Sequence, residues 1–145
     1  AFRMQGKHLP LIDPLNPTEA QIASLTDSED DSPIVMVNLL RFKDQADGID
    51  EGRSGAEAYG IYGQKIASYL EEVGGKVLLA VACEDSIIGP EEAEWDMVIL
   101  VQYPSRKAFL KMITDPGYLK EHEHRVSGLA ETRLILSKLA FGGDA

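Results

Sequence analysis

The chain has 145 residues, of which 44% are hydrophobic and 26% are charged, values typical of one globular domain that is long enough to bury a core. Its formal net charge is −10 at pH 7, and without a basic stripe such a chain is not expected to bind nucleic acid. Its longest apolar runs have the length of a strand, so no membrane association through a transmembrane helix is expected.

Cysteine usage and the first residues set the expected compartment. Cys83 is the single cysteine, which excludes an internal disulfide and is compatible with a reducing environment. The first residues lack the apolar core of a secretory signal. We therefore expect a cytoplasmic protein, and we interpret Cys83 as a small hydrophobic core residue.

Residues 1–33 are interpreted as an N-terminal arm that precedes the folded domain, residues 34–145. Thr18 followed by Gln21 predicts a capping box and a short helix in this arm. The acidic run at residues 27–33 predicts a solvated linker. The opening of the arm is kept extended by three prolines, Pro10, Pro14 and Pro17.

The first predicted strand is Ile34–Phe42, whose apolar side chains fall on both faces. Asn38 and Arg41 interrupt it on opposite faces, and a polar group inside a sheet must find a hydrogen-bond partner. The polar, glycine-rich loop that follows, residues 43–55, lacks the spacing of a phosphate-binding loop and the carboxylate alternation of an EF-hand. We expect this loop to form a mobile rim or lid.

A long amphipathic helix is predicted after this loop. Ser54 and Glu57 have the spacing of a second capping box, and Gly74–Gly75 supplies the left-handed turn that ends a helix. Side chains that recur at three- and four-residue spacing predict one buried face. They are Tyr59, Tyr62, Ile66, Tyr69, Leu70 and Val73.

The second half of the chain repeats the pattern of strands and helix. Two strands are predicted at Lys76–Ile88 and Trp95–Tyr103, joined by a turn at Gly89–Pro90. The second of these strands is apolar on both faces and is expected to be central in the sheet. Tyr103–Pro104 ends it, because proline cannot donate a hydrogen bond to the ladder.

The second helix is predicted in two parts. Ser105 caps the first part, and Asp115–Pro116 restarts the helix with a capping residue and a proline at the first helical position. Gly128 ends it, and Thr132–Leu139 predicts the last strand. One face of the second part is expected to carry Leu119, His122, Val126 and Leu129.

The order strand, helix, strand, strand, helix, strand is typical of an α+β, ferredoxin-like sandwich, in which two helices cover one face of a four-stranded antiparallel sheet. Because the strands are apolar on both sides, the uncovered face would expose about ten hydrophobic side chains. Each is worth about 1.5–3 kcal/mol when buried. We therefore predict that two copies pack sheet against sheet in a homodimer.

Six segments carry a family resemblance: IVMVNLLRFKD, SGAEAYGIYG, EEVGGKVLLA, IIGP, EWDMVILVQYPSRKAFLKMITDPGYLKEHEHR and GLAETRLI. Together they resemble the domain of unknown function 1330 family, within the dimeric α/β-barrel superfamily, over residues 33–136. YPSR-x-AF followed by DP-x-Y is the most specific part. The resemblance implies a ferredoxin-like protomer and a homodimeric α/β barrel. It implies no single activity, because the superfamily includes cofactor-independent monooxygenases, isomerases and haem proteins.

In such protomers a small-ligand cavity usually lies between the sheet and its two helices. His122 is the candidate acid or base near neutral pH, and its alternative role is a packed helix residue. Arg125 could hold a carboxylate in a bidentate fork or could pair with Glu121 one turn earlier. The candidate lining residues are Asn38, Tyr59, Tyr62, Trp95, His122 and Arg125.

The remaining candidates also have two interpretations each. Tyr59 and Tyr62 have core spacing, although a tyrosine hydroxyl near Asn38 would suit a carbonyl or phenol. Trp95 could simply pack at the start of its strand. No metal is expected, because His122 and His124 are two residues apart on a helix and point away from each other.

Two functions are compatible with this pattern. The first is a cofactor-independent enzyme that acts on a small, largely apolar carbonyl or aromatic compound, with His122 as acid or base, Asn38 and Tyr62 as orienting groups and Arg125 as anion clamp. The second is a non-catalytic homodimer that binds a small ligand. Neither hypothesis requires a cofactor.

Overall fold

The computed structural model describes residues 13–142, which form a four-stranded antiparallel sheet and four α-helices. The helices are α1 (Glu19–Thr26), α2 (Gly55–Glu72), α3 (Arg106–Ile113) and α4 (Pro116–Gly128). The strands are β1 (Ile34–Phe42), β2 (Lys76–Ala82), β3 (Met97–Tyr103) and β4 (Leu129–Ser137). The strand order is β2-β3-β1-β4, which confirms the predicted α+β, ferredoxin-like fold. The prediction for Pro10 lies outside the described residues.

The helix starts are set by the local signals that the sequence contains. Thr18 and Gln21 form a reciprocal capping box at α1, and Ser54 and Glu57 form another at α2. At α3 the side chain of Ser105 accepts a hydrogen bond from a backbone N–H, and Asp115 does the same at α4, which begins with proline. Every predicted helix start is therefore confirmed within residues 13–142. Within that same range, each helix is too short or too polar to span a bilayer.

The core lies between the sheet and the helices. Ile34, Met36 and Leu40 alternate along β1 and are 0%, 3% and 0% exposed, so the even-numbered residues of this strand face α2 and α4. Their cross-strand partners on β3 include Val101 and Tyr103, which are also buried. These side chains join residues of α2, α3 and α4 in one hydrophobic cluster.

The other face of the sheet carries seven apolar side chains that no helix covers among the described residues. Those of Leu79, Val81 and Ile135 are 47%, 48% and 49% exposed. The open-face patch consists of Val37, Leu39, Leu79, Val81, Val98, Leu100 and Ile135, which are neighbours in the strand register. Polar side chains flank it at both ends, with Lys76, Gln102 and Ser137 at one end and Arg41, Glu131 and Arg133 at the other.

Two strand boundaries differ from the predictions at the β2–β3 connection. β2 ends at Ala82 instead of Ile88, and β3 begins at Met97 instead of Trp95. The last backbone bond of the ladder runs from the Cys83 N–H to the Asp96 carbonyl, after which the chain leaves the sheet. The two isoleucines that suggested a longer strand, Ile87 and Ile88, are instead 88% and 96% exposed.

β4 also begins earlier than predicted, at Leu129 instead of Thr132. Gly128 does end α4, but Leu129 adopts an extended backbone at once, with φ −95° and ψ 132°. No turn residues are needed between the helix and the strand. The side chain of Leu129 is fully buried, so this early start places an additional apolar residue in the interior.

The loop between β1 and α2 is anchored, so its interpretation as a mobile rim or lid is wrong. Its short 3-10 helix, Gly48–Asp50, buries the carboxylate of Asp50, which is 3% exposed. Asp50 accepts hydrogen bonds from the Ser127 hydroxyl at 2.5 Å and from His124 Nδ1 at 2.9 Å. Burial alone would raise the pKa of Asp50, but the bonds from Ser127 and His124 outweigh it and keep that pKa low.

The acidic linker is mostly exposed, and one of its carboxylates, that of Asp30, also makes ion pairs with the domain. Asp30 pairs with Lys138 Nζ at 2.6 Å and with Arg106 Nη1 at 3.5 Å. The side-chain hydrogen bond from Lys138 is the largest cause of a strongly lowered pKa of Asp30. The carbonyl of Pro14 accepts a hydrogen bond from the Thr132 N–H at 3.0 Å, so the arm also touches β4.

Candidate functional site

The candidate site is positioned by a close contact between the N-terminus of α2 and the C-terminus of α4. A Cβ atom on Gly128 would lie 2.6 Å from the carbonyl oxygen of Gly55, and one on Gly55 would lie 2.1 Å from that of Lys43. The Lys43 N–H donates to the Gly128 carbonyl at 2.8 Å. Glycine at both positions lets the two backbones meet, and this contact brings the next turns of α2 and α4 face to face.

Three tyrosines from the two helices meet at this crossing and form the tyrosine cluster, defined as Tyr59, Tyr62 and Tyr118. The hydroxyl oxygens of Tyr62 and Tyr118 are 2.7 Å apart and share a hydrogen bond. The ring centroids of Tyr59 and Tyr62 are 5.3 Å apart, and Tyr59 also contacts Phe42 of β1 at 5.7 Å. These distances are in the range of favourable aromatic pairs, so the cluster is a packed unit.

His122 lies against this cluster. Its ring centroid is 5.8 Å from that of Tyr118 and 6.5 Å from that of Tyr62. Burial lowers the pKa of His122, and the nearby charge of Arg125 lowers it further. The imidazole is therefore neutral at pH 7, the state in which a histidine can accept a proton.

Arg125 is buried, and its predicted pairing with Glu121 is wrong. The residue is 7% exposed, and its Nη2 donates to the hydroxyl of Thr132 at 3.3 Å. Glu121 instead lies 3.7 Å from Nε2 of His124. Among residues 13–142 no carboxylate is within ion-pair distance of the Arg125 guanidinium. A full positive charge is thus held inside the protein beside uncharged groups.

The tyrosine hydroxyls next to Arg125 stay protonated at neutral pH. Burial raises the pKa of Tyr59 to about 12, with a further increase from Tyr62 and a smaller opposing effect of Arg125. Burial likewise raises the pKa of Tyr62 and of Tyr118. The site therefore presents phenol hydroxyls that can donate hydrogen bonds, together with a guanidinium and a neutral imidazole.

The structure places the other two candidates differently. Asn38 is on the helix-facing side of β1, where its amide donates to the carbonyls of Met36 and Ile99, both at 3.3 Å. Trp95 precedes β3, and Arg133, which belongs to the open side of the sheet, lies over its ring at 5.4 Å. Of the six predicted residues, four are brought together: Tyr59, Tyr62, His122 and Arg125.

Tyr118 is the site residue that the sequence analysis missed. The predicted inner face of α4 was wrong by one residue, because Leu119 is 50% exposed whereas Tyr118 is 4% exposed. The correct face carries Tyr118, His122 and Arg125 at spacings of four and three residues. That spacing could have revealed the face, but the greater hydrophobicity of Leu119 favoured the wrong phase. Within residues 13–142 no three His, Cys, Asp or Glu side chains are placed to hold a metal ion.

The family model described as domain of unknown function (DUF1330) matches residues 54–139, which is more than half of the chain. The chain belongs to the DUF1330 family. The match spans α2 to β4 and so includes every residue of the cluster, together with His122 and Arg125. A comparison of this DUF1330 chain with curated proteins found no match.

Several solved structures are similar to this chain. A protein of unknown function from Rhodopseudomonas palustris is 37% identical to this DUF1330 chain, with a TM-score of 0.82, and the alignment covers 88% of this chain and 98% of that one. A putative antibiotic biosynthesis monooxygenase from Bacteroides thetaiotaomicron is 18% identical, with a TM-score of 0.54 and coverages of 79% and 95%. A dimeric protein of unknown function with a ferredoxin-like fold, from Bacteroides fragilis, is 8% identical, with a TM-score of 0.51 and coverages of 74% and 96%. The last two similarities show the fold alone.

Proposed function

We propose that the tyrosine cluster, His122 and Arg125 form the active site of a cofactor-independent enzyme that acts on a small, largely apolar carbonyl or aromatic compound. The observation that carries the proposal is the contact of one neutral imidazole with two buried phenol rings. Structural ring packing does not require an ionisable group, whereas a general base needs a neutral imidazole at working pH.

Each residue has a role in this proposal. His122 takes a proton from the substrate, and Arg125 is the anion clamp that binds a negatively charged group of the substrate. The hydroxyl of Tyr62 accepts the shared hydrogen bond from Tyr118 and donates its own proton to the carbonyl or phenol oxygen, which it orients. Asn38 is the predicted second orienting group, but its amide nitrogen donates to the carbonyls of Met36 and Ile99, which leaves its amide oxygen as the atom that could accept a hydrogen bond from a ligand.

A non-catalytic ligand-binding protein is the second candidate, and one observation favours it. Among residues 13–142 no side chain makes a hydrogen bond to the ring nitrogens of His122, so no partner fixes its tautomer. Catalytic histidines are commonly oriented by such a partner. A pocket with this composition would still bind a small aromatic or carbonyl compound without converting it.

The test is a screen of small phenols and enolisable ketones without added cofactor, with products detected by mass spectrometry. We expect turnover that His122→Ala lowers by about 100-fold or more, because general acid–base catalysis contributes on that order. Glu123→Ala is the matched control, since Glu123 is exposed on the same helix. Probes that bind the wild-type protein near the cluster but are never converted would instead support the second candidate.

We also propose that the protein is a homodimer in which two open-face patches pack together. An apolar centre with polar ends has the layout of a protein–protein interface. The Bacteroides fragilis protein with this fold is dimeric, which supports the same assembly. A second copy covers the patch with a surface of identical composition, as expected for a two-fold symmetric dimer.

The division into an arm, residues 1–33, and a ferredoxin-like domain, residues 34–145, stays a proposal. It is supported by the start of β1 at Ile34, and the arm packs on the domain through Leu25 and through the ion pair of Asp30 with Lys138. Residues 34–145 expressed alone should retain the helix and strand content of this domain in circular dichroism. An unfolded product would contradict this division.

A further inference from the structure

We infer that the ligand of this site is a small apolar or aromatic monocarboxylic acid, bound as its anion by Arg125. This inference rests on the proposed function and adds the charge and headgroup of the ligand to it. It starts from the unpaired charge of Arg125, which is 7% exposed and has no carboxylate partner within residues 13–142.

A buried cation without an anion is unfavourable. Charged groups inside proteins are normally paired, because the desolvation of an unpaired charge is costly. The groups that surround Arg125 supply dipoles but no negative charge, because the buried hydroxyls of the tyrosine cluster remain protonated. His122 is neutral and cannot supply it either. An anionic ligand would complete the site.

The geometry of the guanidinium favours a carboxylate over a single-oxygen anion. The Arg125 side chain has five N–H groups. Among residues 13–142 one of them, on Nη2, donates to Thr132, and the guanidinium also interacts with the hydroxyl of Tyr59. These two neutral partners use at most two of the five N–H groups, which leaves three for a ligand that accepts a parallel pair of hydrogen bonds. A carboxylate accepts such a pair with both oxygens, whereas a phenolate or an enolate accepts with only one.

The surroundings of Arg125 define the rest of the ligand. Tyr59 and Tyr62 lie next to it, and the ring of Phe42 contacts that of Tyr59. They suit an apolar or aromatic body. Only one cation is present at the site when His122 is neutral, so a single carboxylate matches the charge.

The test uses benzoate and its neutral isostere benzamide as probes, with binding to the full chain measured by isothermal titration calorimetry at pH 7. We expect benzoate to bind at least about tenfold more tightly than benzamide, since charge-assisted paired hydrogen bonds are about twice as strong as neutral ones. Arg125→Met should remove this preference. Lys120→Gln, which removes a charge from the exposed side of the same helix, should preserve it.

A second variant covers the case in which Arg125→Met does not fold. Arg125→Lys keeps the positive charge but loses the paired donors, so it should reduce the preference for benzoate while the protein stays folded. A wild-type protein that binds benzamide as tightly as benzoate would overturn the inference. So would a preference for benzoate that survives both Arg125 variants.

The experiment separates this inference from the proposed function. If benzamide binds as tightly as benzoate and its binding is weakened by Tyr62→Ala, the site is a ligand site but not an anion site, and only the inference fails. If neither probe binds, or if binding is unaffected by substitution of both Tyr62 and Arg125, the proposed site and the inference fail together.

Discussion

His122 and Arg125 lie three residues apart on α4, and the charge of Arg125 acts on the imidazole of His122. The charge of Arg125 adds to burial in lowering the pKa of His122, so the imidazole is kept neutral beside a permanent cation. The neighbouring tyrosine hydroxyls are uncharged, so they add no charge repulsion to the site. Two groups that would repel each other when both are charged therefore share one small site without that repulsion.

The lowered pKa of His122 predicts a specific dependence of stability on pH. The unfolded chain titrates near the ordinary histidine value of 6.5, and the folded protein titrates below it. Between these two values the unfolded state binds more protons, so stability increases with pH in this window. The stability of the wild-type protein should therefore be complete above the ordinary value and decrease as the pH falls below it.

This prediction is checked by urea denaturation of the wild-type protein and of His122→Asn across the range from about pH 5 to pH 8. The wild-type protein should lose more stability than the variant on acidification, because the variant lacks the imidazole of residue 122. Curves that stay parallel over the whole range would show that His122 titrates in the folded protein as it does in the unfolded chain.

At the scale of elements, the contact between α2 and α4 holds the site together. Gly55 and Gly128 meet backbone to backbone, and Asp50 ties the preceding loop to the end of α4 through Ser127 and His124. Both contacts lie at the end of the helix pair where α2 begins and α4 ends. The tyrosine cluster begins near this end at Tyr59 and extends along the helix pair to Tyr118 in the first turn of α4, so its geometry depends on a contact that contains no side chain from the cluster.

Gly128→Ala should destabilise the protein by about 1–3 kcal/mol, the usual cost of overpacking, because the new Cβ would lie 2.6 Å from the carbonyl oxygen of Gly55. Chemical denaturation measures this change. Gly63→Ala is the matched control, since Gly63 is exposed on α2 and its added Cβ would have nothing within 4 Å.

The control should have the opposite sign. Alanine in a helix interior is favoured over glycine by about 0.5–1 kcal/mol, so Gly63→Ala should stabilise the protein slightly. Equal effects of the two substitutions would mean that the α2–α4 contact is not tight. A Gly128→Ala variant that is as stable as the wild-type protein and keeps its tyrosine cluster unchanged would lead to the same conclusion.

At the scale of the whole molecule, the open-face patch is the feature that a single copy leaves unburied. The three edge-strand side chains of the patch, Leu79, Val81 and Ile135, are about half exposed. The four on the central strands are partly covered by their neighbours. A contiguous apolar surface of this kind is a typical interface between copies of a protein.

Leu100→Glu should convert the proposed dimer to a monomer, because it would place two like charges and their desolvation cost at the centre of the interface. Size-exclusion chromatography with light scattering measures the mass. Leu119→Glu is the control, since Leu119 is half exposed on α4, away from the sheet, and should leave the mass unchanged. A wild-type protein that is already monomeric at micromolar concentration would contradict the dimer.

The residues of the candidate site show how much of it could be predicted from the sequence. Tyr59, Tyr62 and His122 were identified because aromatic and ionisable residues recur at helical spacing. The burial of Arg125 and the inward position of Tyr118 could not be read in this way. Both depend on how α4 is rotated against α2 and the sheet. The contacts of Gly55 and Thr132 help to fix this rotation. Gly55 is distant from α4 in sequence, and the residue type of Thr132 does not indicate which face of α4 is buried.

The sequence alone determined the helix starts, the order of strands and helices along the chain and the two-sided strands of this protein. These features follow from capping hydrogen bonds and side-chain periodicities that act over a few residues. Only the tertiary structure decided which face of α4 is buried, that Arg125 has no anion beside it and that Asp50 anchors its loop. Those outcomes depend on contacts between residues 7 to 77 positions apart, which no local pattern encodes.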